Sequence, residues 1–185
     1  MKKAIAIALI CLTVFSAAFA DKKKEAKVDN SLEELKARGE FVLGLDDSFP
    51  PLGFRDDNNN IVGYDIDLAS EVCKRLGVTL RCQPIDWAAK EQELNTGNID
   101  CIWNGFTMTP ERKEVLSFTD AYLDNAQVVI VRGDSGYKTL ADLAGKTVGL
   151  QAGSSAADAL YASDFSGTIK DVVEFKDNMT ALMDL

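Results

Sequence analysis

The segment WNGFTMTPERK, Trp103 to Lys113, gathers a glycine, two threonines, a proline and an arginine within eleven residues. Thr109 is a favoured helix N-cap. Pro110 suits the first helical position, where its missing N–H would have no partner anyway. Arg112 then falls in the first turn of a helix, where the macrodipole already places partial positive charge. A cation there calls for an anion beside it. Thr107 adds a hydroxyl and an N–H, and Gly105 lets a ligand approach the backbone. The planar guanidinium fork of Arg112 fits a carboxylate through two parallel hydrogen bonds. Together these groups suit a small carboxylate. Each charge-assisted hydrogen bond is worth about 1.5–3 kcal/mol net. Two or three supply a large part of the roughly 8 kcal/mol that micromolar binding needs. The competing reading is that Arg112 pairs with Glu111 or Glu114 on its own solvated helix, and spacing alone favours neither.

Two other loops carry related chemistry. Gln151-Ala152-Gly153-Ser154-Ser155 opens a helix, so its N–H groups and hydroxyls form an anion-accepting nest, or simply an N-cap. Asp46 or Asp47 can meet an ammonium group, or cap its own loop. Phe49 and Trp87 can be the aromatic walls of a slot, or core. With Asn104-Gly105-Phe106-Thr107, these loops fall after apolar runs that read as strands. Open α/β sheets bind ligands at that end of their strands.

The elements that must position these loops follow from periodicity. Ser31 and Glu34 form a capping-box pattern before a short helix. Phe41–Leu45 is a buried strand and DDSFPPLGF a loop, with a polar hairpin tip at Arg55–Asn60. Asp65–Gly77 reads as a helix: Ala69, Val72, Cys73 and Leu76 share a face, and Gly77 is the stop. Val78–Cys82 is a strand, Ala88–Asn95 a helix and Ile99–Trp103 a strand. A second series holds a strand at Val128–Val131, a short helix at Leu140–Leu143, a strand at Thr147–Leu150, a helix at Ala156–Tyr161 and a strand at Val172–Phe175. Asp177 or Asn178 caps a last helix, whose Met179, Leu182 and Met183 call for a partner surface. The alternation marks an α/β chain with a mostly parallel sheet, in two units, 31–124 and 125–185.

Bulk features bound the setting. Lys2 and Lys3, the apolar run Ala4–Phe15 and the ending Ala18-Phe19-Ala20 make residues 1–20 a secretory signal peptide. Cys11 inside that run is a poor lipid-anchor site, because Ile10 is too large for a lipobox. Residues 21–30 read as a disordered, lysine-rich lead-in. The full chain has 185 residues and a formal charge of −9; without the leader, and so without Lys2 and Lys3, this becomes 165 residues and −11. Such acidity argues against nucleic acid and anionic membranes. There is no histidine, which removes Ser-His-Asp and Cys-His catalysis and most catalytic zinc sites. Cys73, Cys82 and Cys101 are an odd set for an oxidising compartment: either one disulfide forms or all three are small buried residues.

Four segments in order, VLGLDDSFPPLGF, IVGYDIDLASEVCKRLGV, PIDWAAKEQELNTGNIDCIWNGFTMTPERKEVLSFTDAY and LAGKTVGLQAGSS, resemble the extracellular solute-binding proteins of polar amino-acid ABC transporters. The resemblance implies a two-lobed, type II periplasmic-binding-protein-like fold that closes over an amino acid. It implies that Arg112 grips the α-carboxylate with Thr107 and with Ser154 or Ser155. The Gly105 carbonyl and an acid of the second lobe would hold the α-ammonium, and Phe49 and Trp87 would sandwich the ligand. Asp46, Asn104 and Gln151 would read its side chain. Members of that family continue several tens of residues further, so the second lobe is expected to be incomplete. The implied setting is the periplasm, with an inner-membrane permease as partner and no cofactor, metal or covalent chemistry. The alternatives on the same fold are a cyclohexadienyl-dehydratase-like enzyme, needing a positioned acid in the cleft, for which Asp46 or Asp47 is the candidate, and a sensory ligand-binding domain.

Overall fold

The computed structural model describes residues 29–185; the expected leader and most of the lead-in lie outside the described residues. Helix α1 (Ser31–Arg38) leads into strand β1 (Glu40–Leu45). Val42, Leu43 and Leu45 are buried, as a strand covered on both faces requires. The hairpin strands β2 (Ser48–Phe49), β3 (Gly53–Arg55) and β4 (Ile61–Val62) pair antiparallel. The stretch expected to be only a loop therefore folds back on itself. Its tip is closed by the Asp56 carboxylate, which accepts from the amides of Asn58 and Asn60.

Helix α2 (Tyr64–Leu76) buries Ile66, Ala69 and Cys73, and Gly77 ends it in the left-handed conformation at φ 75°. Strand β5 (Thr79–Pro84) and strand β6 (Cys101–Ile102) flank β1 in parallel, giving the order β5-β1-β6. Gly44 in the central strand has no room for a side chain, since a Cβ would lie 2.4 Å from Ile99 Cδ1. Between β5 and β6 the chain makes a 3₁₀ turn, Trp87–Ala89, and then helix α3 (Lys90–Asn95). Helix α4 (Pro110–Val115) starts as expected, with Thr109 as its N-cap.

A second pair of parallel strands, β7 (Thr147–Gln151) and β8 (Asp171–Phe175), packs with helix α5 (Ser155–Tyr161) and helix α6 (Asn178–Met183). Their core is Leu143, Leu150, Leu160 and Phe165, separate from the cluster of Leu43, Leu45, Ile66 and Ala69. Ser31–Leu185 contains both cores within one compact unit.

Two expectations need correction. Val128–Val131 is not a strand: the segment has no regular secondary structure, and Val128 and Ile130 are 75% and 62% exposed. An apolar run supplies strand propensity, but a strand exists only where a neighbour completes its hydrogen bonds, and β7 pairs with β8 alone. Leu140–Leu143 is a 3₁₀ turn rather than an α-helix, closed by a capping box between Thr139 and Asp142. Of the two readings left open for the cysteines, the one without a disulfide is found: Cys73, Cys82 and Cys101 are free thiols, Cys73 buried and the other two half-buried. The apolar face of α6 remains open, with Met183 84% exposed.

Candidate functional site

The three loops singled out in the sequence leave the carboxyl ends of β1, β6 and β7 and meet one another. From the β6 side, the Arg112 guanidinium is directed into this meeting point. Its Nη1 donates to the Thr107 carbonyl at 3.0 Å and its Nη2 reaches the Gly153 carbonyl at 3.4 Å. The group lies over the Phe106 ring, 4.4 Å from its centroid. Neither Glu111 nor Glu114 pairs with it. The nearest carboxylate is Glu91, at a loose 3.9 Å from Nε. Arg112 is thus oriented by backbone carbonyls and an aromatic face, with Glu91 as a loose ion-pair partner at Nε.

Thr107 and Ser155 join across the same junction. Ser155 Oγ donates to Thr107 Oγ1 at 3.1 Å, and Asn125 Nδ2 donates to that same hydroxyl at 2.8 Å. Gln127 Nε2 donates to Ser155 Oγ at 3.1 Å. Ser154 behaves differently from Ser155. Its hydroxyl caps α5, accepting from the Ala156 amide and donating to the Gln151 carbonyl at 2.7 Å. Ser154 is therefore committed to its own loop, and of the two serines only Ser155 faces Thr107.

On the β1 side, Asp46 is buried. Its Oδ1 accepts from the Ser48 amide and hydroxyl, and its Oδ2 accepts from Gln151 Nε2 at 2.8 Å. Asn104 accepts from the Asp46 amide at 3.0 Å, while its own Nδ2 is buried with no partner. Gln151 also donates to the Lys176 carbonyl and accepts from Asn178 Nδ2. Asp46, Asn104 and Gln151 are therefore one connected polar group. Asp47 is not part of it, because its carboxylate pairs with Arg55 at 2.6 Å.

The aromatic residues are placed unequally. Phe49 lies over Gly105, its Cε1 3.7 Å from where a Cβ on that glycine would be. Trp87 is 8% exposed and meets the edge of Phe106 with centroids 5.7 Å apart. It lines the base of the junction more than an open wall.

Several residues at the site escaped the sequence reading. Asp65, fully buried, accepts from the Gly105 amide at 2.8 Å and from the Tyr122 hydroxyl at 2.9 Å, so it pins the Gly105 loop. Burial raises its carboxyl above the usual range, partly offset by these donors. The signal for it lies in Gly63-Tyr64-Asp65. Gly63 adopts φ 134°, and a Cβ there would strike the Leu52 carbonyl at 2.3 Å, so glycine sets α2 where its first acid reaches Gly105. Lys90, 2% exposed, also escaped notice. Its Nζ donates to the carbonyls of Trp87 and Gly153, and burial lowers its pKa. Nothing in the local pattern of charges distinguishes it from a solvated helix lysine.

The chemistry on offer is recognition. An oriented guanidinium, hydroxyls on both sides of the junction and a buried carboxylate bound to amides can hold a small polar zwitterion. Among the described residues no cluster of acids and thiols has the form of a metal site.

Comparison with known proteins identifies the family. The family model for bacterial extracellular solute-binding proteins, family 3, matches residues 41–184. The L-cystine-binding protein TcyJ of Escherichia coli (strain K12) is 31% identical over 156 residues, covering 83% of this chain and 58% of that protein. A substrate-binding protein of an ABC uptake transporter from Streptococcus pneumoniae, solved with bound histidine, superimposes with a TM-score of 0.81 at 38% identity. It covers 85% of this chain and 65% of the other. The arginine-bound form of truncated ArgBP from T. maritima superimposes with a TM-score of 0.76 at 42% identity, covering 83% of this chain and 71% of that one. These relatives are named as binding proteins, not as enzymes. The chain spans 44–67% of the length of the curated relatives it matches. Its fold is the two-lobed type II fold of periplasmic amino-acid-binding proteins, of which it covers part. The chain belongs to the bacterial extracellular solute-binding proteins, family 3.

Proposed function

We propose that the chain captures a polar amino acid between its two α/β lobes, residues 31–124 and 125–185, and delivers it to an ABC permease of the inner membrane. The setting is the periplasm. The observation that carries this reading is the state of Arg112, whose guanidinium is aimed at the opposite lobe by the Thr107 carbonyl and is met by a carboxylate of its own chain, Glu91, only loosely, at 3.9 Å from Nε. A ligand α-carboxylate takes its fork, assisted by the hydroxyls of Thr107 and Ser155, while Ser154 shapes the loop that brings Ser155 into place. The Gly105 carbonyl meets the α-ammonium. Phe49 and Trp87 flank the aliphatic part. Asp46, Asn104 and Gln151 receive the side chain, because one buried carboxylate and two amides match groups that both donate and accept. Relatives named for arginine and cystine, and one solved with histidine, support a polar side chain of that kind.

The mechanism is a population shift. A ligand touching both lobes binds the closed arrangement better than the open one and moves the equilibrium towards it by that difference. No bond is made or broken. Of the two candidate acids for a dehydratase, Asp46 is engaged by Ser48 and Gln151 and Asp47 by Arg55. The test is calorimetry on Arg112→Ala after a thermal-shift screen of the twenty amino acids has identified the ligand. Loss of binding with an unchanged circular dichroism spectrum is expected; unaltered affinity would remove the basis for the reading.

A further inference from the structure

Lys90 opens helix α3 and is nearly inaccessible to water. A lysine in that position is ordinarily solvated, because burying an ammonium is costly unless it is paired and hydrogen-bonded. Here its Nζ donates to the Trp87 carbonyl at 3.2 Å and to the Gly153 carbonyl at 2.8 Å, with Glu91 Oε2 at 3.2 Å. The Trp87 and Phe106 rings lie 5.3 and 5.9 Å away. Most of this environment comes from neighbouring chain. The shortest bond does not: it runs to Gly153, 63 residues on, in the loop between β7 and α5.

Gly153 fits this contact in two ways. It adopts φ 67°, and its lack of a side chain lets the loop lie against Ala88, whose Cα would be 2.9 Å from a Cβ at 153. Arg112 reaches the same carbonyl, but at 3.4 Å. One carbonyl of the β7–α5 loop therefore receives two cations, and Lys90 makes the shorter bond. Lys90 also draws Glu91, which would otherwise be the natural partner of Arg112.

We propose that Lys90 is a positioning residue that holds the Gly153 loop down on the 3₁₀ turn at Trp87, closing the cleft from its rim. It acts through the loop, not on a ligand, so it does not depend on which amino acid is bound. Trp87 lies beneath this contact and reports on it. The chain has two tryptophans, so Trp103→Phe leaves Trp87 as the single tryptophan, excited selectively at the red edge where tyrosine does not absorb. Acrylamide quenching is then measured on the ligand-free full chain in four forms: this background, Lys90→Met, Gly153→Ala and the double variant. Each single change is expected to raise the quenching constant of Trp87 severalfold. The double variant is expected to match the larger single effect, because two changes acting through one contact are not additive. Unchanged quenching in Lys90→Met, or additive effects in the double variant, would overturn the proposal. Should the methionine variant fail to fold, Lys90→Gln serves instead. Its side chain is too short to span to Gly153 but still carries a donor, and the same outcomes apply.

Discussion

Replacing Gly153 by alanine tests the contact between the β7–α5 loop and the 3₁₀ turn at Trp87. Two costs are expected. The backbone at φ 67° disfavours any residue with a Cβ by about 1–2 kcal/mol. The new methyl would also stand 2.9 Å from Ala88 Cα, closer than carbon atoms normally approach, so the loop must lift. Lifting it stretches the 2.8 Å bond from Lys90, a charge-assisted bond worth about 1.5–3 kcal/mol net. Gly145 supplies the control. It adopts φ 71°, but a Cβ there would meet nothing within 4 Å. Gly145→Ala should therefore show the backbone cost alone, and Gly153→Ala that cost plus part of the lost contact, roughly 2–5 kcal/mol in sum. At about 2–4 °C per kcal/mol for a chain of this size, the second variant should melt several degrees below the first. Urea unfolding of both, followed by far-ultraviolet circular dichroism, measures the difference. Equal destabilisation would refute the argument, since it would mean that the loop does not bear on Ala88 and Lys90 in solution.

Asp177 caps α6 through the Thr180 amide at 2.7 Å, and Asp177→Ala should cost about 1 kcal/mol in urea unfolding at neutral pH. That bond holds the Asp177 carboxyl below the usual aspartate range. A depressed folded pKa gives stability that is present above the unfolded value and lost as pH falls through the folded one. The gap between wild type and variant should therefore narrow below about pH 4, and a constant gap down to pH 2 would contradict the assignment. For the thiols, burial pushes Cys101 up to about 11 and raises Cys73 and Cys82. Iodoacetamide at pH 8 should modify the folded chain slowly and the guanidinium-unfolded chain fast, because thiolate is the reacting form; rapid native labelling of Cys101 would show that its burial is wrong.

Much of the site was legible because its signals are local. Thr109-Pro110 fixes a helix start by capping chemistry, and the cap is present as read, with Thr109 accepting from the Arg112 amide. The strand of apolar residues at Phe41–Leu45 and the glycine stop at Gly77 likewise carry their causes within a few residues. What escaped was non-local. Whether Ser154 or Ser155 faces Thr107 depends on which hydroxyl the helix cap consumes. Val128–Val131 has every property of a strand except a neighbour. Lys90 is buried because of a loop 63 residues away, and Asp65 meets Gly105 across 40.

By itself the sequence determined the α/β alternation, the helix that carries Arg112 and the absence of any histidine chemistry, since periodicity, capping and composition are properties of neighbouring residues. The tertiary structure alone decided that Arg112 faces Gly153 with Glu91 only loosely beside it, that Asp46 meets Gln151, and that Lys90 crosses to the far loop. Those outcomes depend on how distant segments stack, and hydrogen-bond partners separated by tens of residues leave no periodic trace in either segment.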